Sequence, residues 1–265
     1  MIVIIGSGPA GVSAGIYLKR ANKEVMILTT NTSSLKKAQL IENYYGVGKI
    51  TGEELYNLGV KSAKDLDIPI VEEEVLDISD YDNNFIVTTS NNKYECSSLI
   101  LAMGSNRKTN IIKGQDLFEG KGISYCATCD GYFFKGKKVA VIGSGDYAKH
   151  EYEYLKNLTN DVSMYEANAI SEIIGSDKVE KIVFKDNSTV DIDGVFIADD
   201  SPDGSVIAKK MGLYEQDGNI VVDDKMATNI SDVYACGDIT GHSKQIATAV
   251  YQGMISANSA LEKKV

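Results

Sequence analysis

The hydrophobic pattern of this chain is set by short apolar runs that stop at glycine. Ile2-Val3-Ile4-Ile5 ends at Gly6, Leu99-Ile100-Leu101-Ala102-Met103 at Gly104, Val139-Ala140-Val141-Ile142 at Gly143, and Val233-Tyr234-Ala235-Cys236 at Gly237. Runs of this length bounded by a turn residue read as buried strands. The first continues through Gly6-Ser7-Gly8-Pro9-Ala10-Gly11, a helix to Arg20 and a strand from Glu24 to Thr29, which is a β-α-β unit. The third repeats the plan with Gly143-Ser144-Gly145-Asp146-Tyr147-Ala148, a helix to Leu158 and a strand from Asp161 to Tyr165. Alternation predicts strands at Val75–Asp77 and Phe85–Thr89 around the turn-forming Asp82-Asn83-Asn84, and Gln245 to Leu261 is compatible with a helix. Between Glu166 and Gly194 the pattern offers only a β hairpin, Val179–Lys185 with Thr189–Ile192. A complete nucleotide-binding half needs a further strand and crossover helix there. The prediction is an α/β chain with two Rossmann-like domains, the second of them reduced.

The glycine turns carry chemistry as well as conformation. Gly6 permits a tight turn, Gly8 lets the backbone approach a pyrophosphate, and Gly11 lets the helix pack closely on the strand with its N-terminus toward phosphates. The second strand ends in Thr29 and Thr30 rather than in an acid for a ribose hydroxyl. With 265 residues, 43% hydrophobic and 24% charged, the chain suits one or two globular domains. Its net charge of -10 argues against nucleic acid as a partner. Lys36-Lys37 and Lys135-Lys137-Lys138 are the short basic clusters, and the second lies just beyond a pair of cysteines where a protein partner could dock. The apolar start is too short for a signal peptide or a membrane span, so a cytoplasmic protein with no membrane partner is expected.

That pair is Cys126-Ala127-Thr128-Cys129-Asp130. Two cysteines separated by two residues can close a small disulfide, and the spacing lowers a thiol pKa enough to supply an attacking thiolate. A zinc half-site and two buried structural cysteines are the competing readings. Cys96, Cys236, His150 and His242 show no second ligand pair at zinc spacing, so no metal site is expected, and a reducing compartment disfavours a purely structural disulfide. The redox reading is preferred.

In this order, the Gly-X-Gly-X-X-Gly opening, the Ala102-Met103-Gly104 strand end, the Cys-Ala-Thr-Cys-Asp centre, the second glycine turn and the late Gly237-Asp238 resemble the low-molecular-weight thioredoxin reductases. Tyr125–Gly131 is the most specific segment, followed by Gln39-Leu40 with Glu42-Asn43, and by Thr228–Asp238 with Gln245. The resemblance implies a discontinuous FAD-binding domain at 1–108 and 199–265. A central domain at 109–198, the remnant of a pyridine-nucleotide domain, would carry the disulfide. It puts Gly6, Gly8, Pro9, Ala10 and Gly11 at the FAD pyrophosphate, Asn43 near the flavin ring with Tyr44 and Tyr45 bordering it, and Asp238 at the ribityl or phosphate region. Gln245 and Ile246 would offer backbone groups to the flavin, with Gln39, Leu40, Gly104 and Gly237 completing the site. It makes Cys129 the flavin-facing cysteine, Cys126 the one that attacks thioredoxin, and Asp130 the acid or base; the other reading of Asp130 is a turn-former before Gly131.

The departure lies in the nicotinamide site. Where NADPH-dependent members carry His-Arg-Arg, this chain has Glu166-Ala167-Asn168, and Tyr147 is expected to put a bulky ring into the glycine turn. The chain therefore most resembles the ferredoxin-dependent flavin thioredoxin reductases, in which the flavin gathers single electrons into the pair that a disulfide consumes. Ferredoxin and thioredoxin are the implied partners and a homodimer the implied assembly. Glu166 also stands where an acid can accept hydrogen bonds from an NAD ribose, so an NADH-dependent enzyme is an alternative. A flavodoxin-dependent reductase and a non-catalytic redox sensor are the others.

Overall fold

Strands without polar alternation need cover on both faces, and this requirement builds the parallel sheets of the molecule. The computed structural model describes residues 1–82, 84–104, 112–198 and 204–262. The chain divides into two compact units, Met1–Asn106 with Asp203–Val265, and Arg107–Pro202. The boundary expected between residues 108 and 109 lies outside the described residues, as does residue 199.

The first unit runs β1 (Ile2–Ile5), α1 (Pro9–Arg20), β2 (Val25–Thr29), α2 (Gly52–Lys64), β3 (Ile70–Glu72), β4 (Val75–Tyr81), β5 (Asn84–Thr89), β6 (Lys93–Cys96) and β7 (Ser98–Leu101). The second holds α3 (Gln115–Phe118), β8 (Ile123–Ser124), α4 (Ala127–Asp130), β9 (Val139–Ile142), α5 (Asp146–Lys156), β10 (Val162–Tyr165), β11 (Ile170–Gly175), β12 (Val179–Phe184), β13 (Thr189–Asp191) and β14 (Gly194–Ile197). The chain returns to the first unit with α6 (Gly204–Met211), β15 (Glu215–Gln216), β16 (Asn219–Ile220), β17 (Val233–Ala235) and α7 (Ile246–Leu261).

In the first unit five parallel strands stand in the order β17-β7-β1-β2-β3. Successive side chains leave opposite faces, so Ile2, Ile4, Val25 and Ile27 pack with Leu18 of α1 and Ala257 of α7. Val3, Ile5, Met26 and Leu28 pack with Phe85 and Val87 of β5. Each large side chain buried in this way contributes roughly 1.5–3 kcal/mol, enough for the two faces to fix the sheet. The second helix, α2, starts at a capping box in which the Thr51 hydroxyl accepts the Glu54 N–H and the Glu54 carboxylate accepts the Thr51 N–H at 2.9 Å.

In the second unit four parallel strands stand in the order β10-β9-β14-β8, beside an antiparallel sheet β11-β12-β13. The hairpin expected between Glu166 and Gly194 is thus two strands, β12 and β13, of a three-stranded sheet. Register shifts at both ends of β11 break its period of two, and its burial recurs every third residue, which hid the strand. Among the described residues, no α-helix joins β10 to β14. Strand β4 runs on to Tyr81, beyond the expected end at Asp77, and pairs with β5; β6 adds an edge strand whose Lys93-Tyr94-Glu95-Cys96 is mostly polar. Asp77, Asp80, Lys93 and Glu95 are poor strand formers held in place by pairing. Among the described residues, no helix is long and apolar enough to cross a membrane.

Candidate active site

The first unit contains a cradle shaped for a dinucleotide. Gly6 has φ of 111°, and a Cβ on it would lie 2.2 Å from the Ala102 carbonyl oxygen, so only glycine turns there. Gly8 caps α1 with extended backbone and no side-chain cap, Pro9 follows, and a Cβ on Gly8 would meet nothing nearer than 3.7 Å. An uncapped helix start with open backbone before it is the arrangement that accepts a pyrophosphate. Ala10 and Gly11 are buried beneath it in the helix. Thr29 is not offered to a ribose, since its hydroxyl meets Ser7 Oγ at 2.6 Å and accepts the Asn31 N–H at 2.9 Å.

At the other end of the sequence the Gly237-Asp238 turn is held by Gln252, whose Oε1 accepts the Gly237 N–H at 2.8 Å and the Thr240 hydroxyl at 3.3 Å. Gln245 is the N-cap of α7 and makes no side-chain cap bond, leaving the Ile246 turn open to a ligand. Its Oε1 instead accepts from Asn43 Nδ2 at 3.2 Å, which joins two expected flavin residues 202 positions apart. Burial pushes the Asp238 carboxyl above the usual aspartate range, partly offset by Lys244. A cavity of about 340 Å³ is lined by Ser7, Gly8, Pro9, Tyr44 and Ile246 among others. Tyr45, by contrast, is 99% exposed. Gln39 and Leu40 are exposed in the loop before Ile41, and Gly104 turns the chain at φ of 80°. These residues fit FAD on this structure's own geometry: an open glycine turn, two helix starts without side-chain caps and a half-buried carboxylate.

In the second unit Cys126 and Cys129 form a disulfide with Cα atoms 5.4 Å apart, Cys126 serving as the N-cap of α4. Cys126 is 2% exposed, while Cys129 is half-buried. Ser124 Oγ donates to Asp130 Oδ2 at 2.7 Å and accepts the Cys126 N–H at 3.1 Å, so Asp130 is tied to the dithiol through one hydroxyl. Tyr132 and Phe133, just after the motif, are 72% and 69% exposed, and Lys135 Nζ lies 6.0 Å from the Tyr132 ring. Cys96 and Cys236 are buried, with burial pushing their thiols up to about 11 and about 12. Among the described residues no three His, Cys, Asp or Glu side chains gather as a metal site.

The second glycine turn keeps its backbone, with Gly143 at φ of 155°. Tyr147 does not crowd the turn as its bulk implies. The residue is 3% exposed, and its phenol donates to the Tyr125 carbonyl at 2.7 Å. The first helical residue is Asp146, which brings a carboxylate to the first turn of α5 and pairs with Lys149 at 3.4 Å. Glu166 is exposed directly after β10. The pattern reading missed Gln252, Ser124 and Glu151, buried polar residues bonded to the two motifs. A glutamate on the otherwise buried face of α5 was the one signal available for any of them.

The model of the family described as pyridine nucleotide-disulphide oxidoreductase matches residues 1–169 and 148–253. A thioredoxin reductase of Buchnera aphidicola subsp. Acyrthosiphon pisum is 32% identical over 302 residues, covering 97% of this chain and 94% of that protein. The solved atypical thioredoxin reductase of Desulfovibrio vulgaris Hildenborough superposes with a TM-score of 0.92 at 29% identity, covering 98% and 96% of the two chains. A ferredoxin-flavin thioredoxin reductase of Clostridium acetobutylicum gives 0.75 at 36% identity, over 98% and 96%.

Proposed function

The chain belongs to the thioredoxin reductases of the pyridine nucleotide-disulphide oxidoreductase family, and on that premise we propose that it carries electrons from reduced ferredoxin, through FAD, to the Cys126–Cys129 disulfide and on to thioredoxin. The family's thioredoxin reductases are FAD-binding flavoproteins, and Gly6, Gly8, Pro9, Ala10, Gly11, Asn43, Gly237, Asp238, Gln245 and Ile246 would hold the cofactor, with Gln39, Leu40 and Gly104 at its margins. Bound there, FAD supplies the link between one-electron donors and two-electron disulfide chemistry.

The chain's own residues do the rest. Two electrons and two protons open the disulfide, with Cys129 as the cysteine toward the flavin and Asp130, tied to Ser124, moving a proton. The Cys126 thiolate then attacks the thioredoxin disulfide, and Cys129 attacks the mixed disulfide at Cys126, restoring the pair and releasing reduced thioredoxin. Cys126 is buried, so the proposal includes a movement that exposes it. Exposed Tyr132, Phe133 and Lys135 beyond the motif favour a protein substrate over a small disulfide.

One observation carries the choice of donor. Around the second glycine turn both places that should attract a 2'-phosphorylated dinucleotide hold carboxylates, Asp146 at the helix start and Glu166 after β10, and among the described residues no crossover helix joins β10 to β14. The likeness to a ferredoxin-flavin enzyme supports the same reading. Exposed Glu166 favours NADH as the second reading. In anaerobic spectroscopy of the purified protein, reduced ferredoxin is expected to bleach the flavin while NADPH and NADH do not. Rapid bleaching by NADPH overturns the proposal, and bleaching by NADH moves it to the second reading. Cys129→Ser is expected to abolish thioredoxin reduction with FAD still bound; retained turnover would refute the route.

A further inference from the structure

The inward face of α5 is spent on the dithiol. Positions four apart on a helix share a face, and Tyr147 and Glu151 are such a pair, 3% and 0% exposed. The Tyr147 phenol donates to the carbonyl of Tyr125, in the peptide group before Cys126. The Glu151 carboxylate accepts the N–H of Ala127, in the peptide group after it. Both peptide groups that flank the cysteine are therefore held from one helix. Gln115, itself buried, steadies the same loop by donating to the Tyr125 hydroxyl at 3.0 Å.

A carboxylate with no exposed surface is costly to keep, and packing alone would be served as well by a glutamine or leucine. We propose that Glu151 is a positioning residue for the redox dithiol: it fixes the Cys126–Ala127 peptide from α5, and its negative charge, one peptide group away, raises the pH at which Cys126 ionises. Tyr147 fixes the preceding peptide in the same way. This rests on the reading of Cys126–Cys129 as a redox pair. The other ionisable groups facing the loop are Asp130 on α4, bonded to Ser124, and from α5 His150, whose Nδ1 lies 3.4 Å from Glu151 Oε1. Among the described residues, Tyr125 beside the motif, Tyr147, and Tyr154 against Gly131 also belong to this set. Asp130 acts with Glu151 in this, so removing Glu151 shifts the balance toward thiolate.

The test uses the full chain with Cys129→Ser, which leaves Cys126 as the one titrating thiol near neutrality, since Cys96 and Cys236 sit at about 11 and about 12. Cys126 is titrated by its ultraviolet thiolate absorbance against a Cys126→Ser/Cys129→Ser reference. Glu151→Gln keeps an oxygen for the Ala127 N–H and is expected to lower the midpoint by about one pH unit. An unchanged midpoint in a folded variant overturns the charge assigned to Glu151. Tyr147→Phe, in the otherwise natural chain, is expected to speed reduction of the Cys126–Cys129 disulfide by dithiothreitol severalfold; an unchanged rate overturns the brace. Neither readout needs ferredoxin, thioredoxin or turnover, so a wrong donor assignment leaves both standing.

Discussion

Gly6 and Gly143 occupy the same place in their units. Each follows a fully buried strand, each has positive φ, and a Cβ on either would lie 2.2 or 2.1 Å from a carbonyl oxygen, that of Ala102 or Ala198. Gly8 and Gly145 each cap the next helix with extended backbone and no side-chain bond. The units part at the following three positions, Pro9-Ala10-Gly11 in one and Asp146-Tyr147-Ala148 in the other. Proline removes a donor the first turn does not need and leaves the helix start to a ligand, whereas Asp146 brings a carboxylate to it. Ala10 lies under Gly237, while Tyr147 reaches the carbonyl before Cys126. The contrast teaches that one turn backbone can carry quite different side chains at its helix start. The backbone is required for helix and strand to pack at all, and the side chains are free to take other work.

The largest expected effect follows from overfilling the last position of the first turn, which is Gly11 where the second turn has Ala148. Gly11→Val drives a side chain from a Cβ position 1.9 Å from the Gly6 carbonyl oxygen, and should cost the first unit ~3 kcal/mol or more along with its flavin absorbance. A yellow, stable variant in a thermal melt would show that the turn yields, and with it the argument for strict packing. A smaller effect is expected where the turns differ in charge. Asp146→Ser with Glu166→Arg removes the repulsion and supplies a cation, yet without the crossover helix it should tighten NADPH binding by no more than about tenfold, read by calorimetry. Restored NADPH oxidation would make charge alone the difference between the units.

The smallest effect concerns Asp238, whose carboxyl burial holds above the ordinary value of 3.8. A raised folded pKa means that ionisation opposes folding, a cost present above the folded value and gone as the pH falls below 3.8. Asp238→Asn should therefore raise the Tm of the flavin-free protein by only ~1–2 °C at neutral pH, since the group is partly exposed. The gain should fade on acidification, while FAD affinity falls. A gain that persists in acid would remove desolvation as its cause.

Much of this could be read along the chain because it is local. Gly6, Gly8 and Gly11 prescribe a turn within six residues, Cys126 and Cys129 a disulfide within four, and the apolar quartets of β1 and β9 leave no choice but cover on both faces. Strand β11 stayed hidden because its bulges erase the alternation that marks a strand, and β6 because pairing with β5 overrides its polar residues. Tyr147 was legible as a bulky residue in the wrong place, but its direction was not.

The sequence by itself determined the two turns, the dithiol, the order of the main strands and the acid directly after β10. Conformational preferences of neighbouring residues and the sign of their charges are enough for these. Only the tertiary structure decided that Asn43 meets Gln245, that Gln252 holds Gly237, and that Tyr147 and Glu151 grip the peptides on either side of Cys126. A buried polar side chain must find a partner, and packing alone chooses which backbone group is within reach.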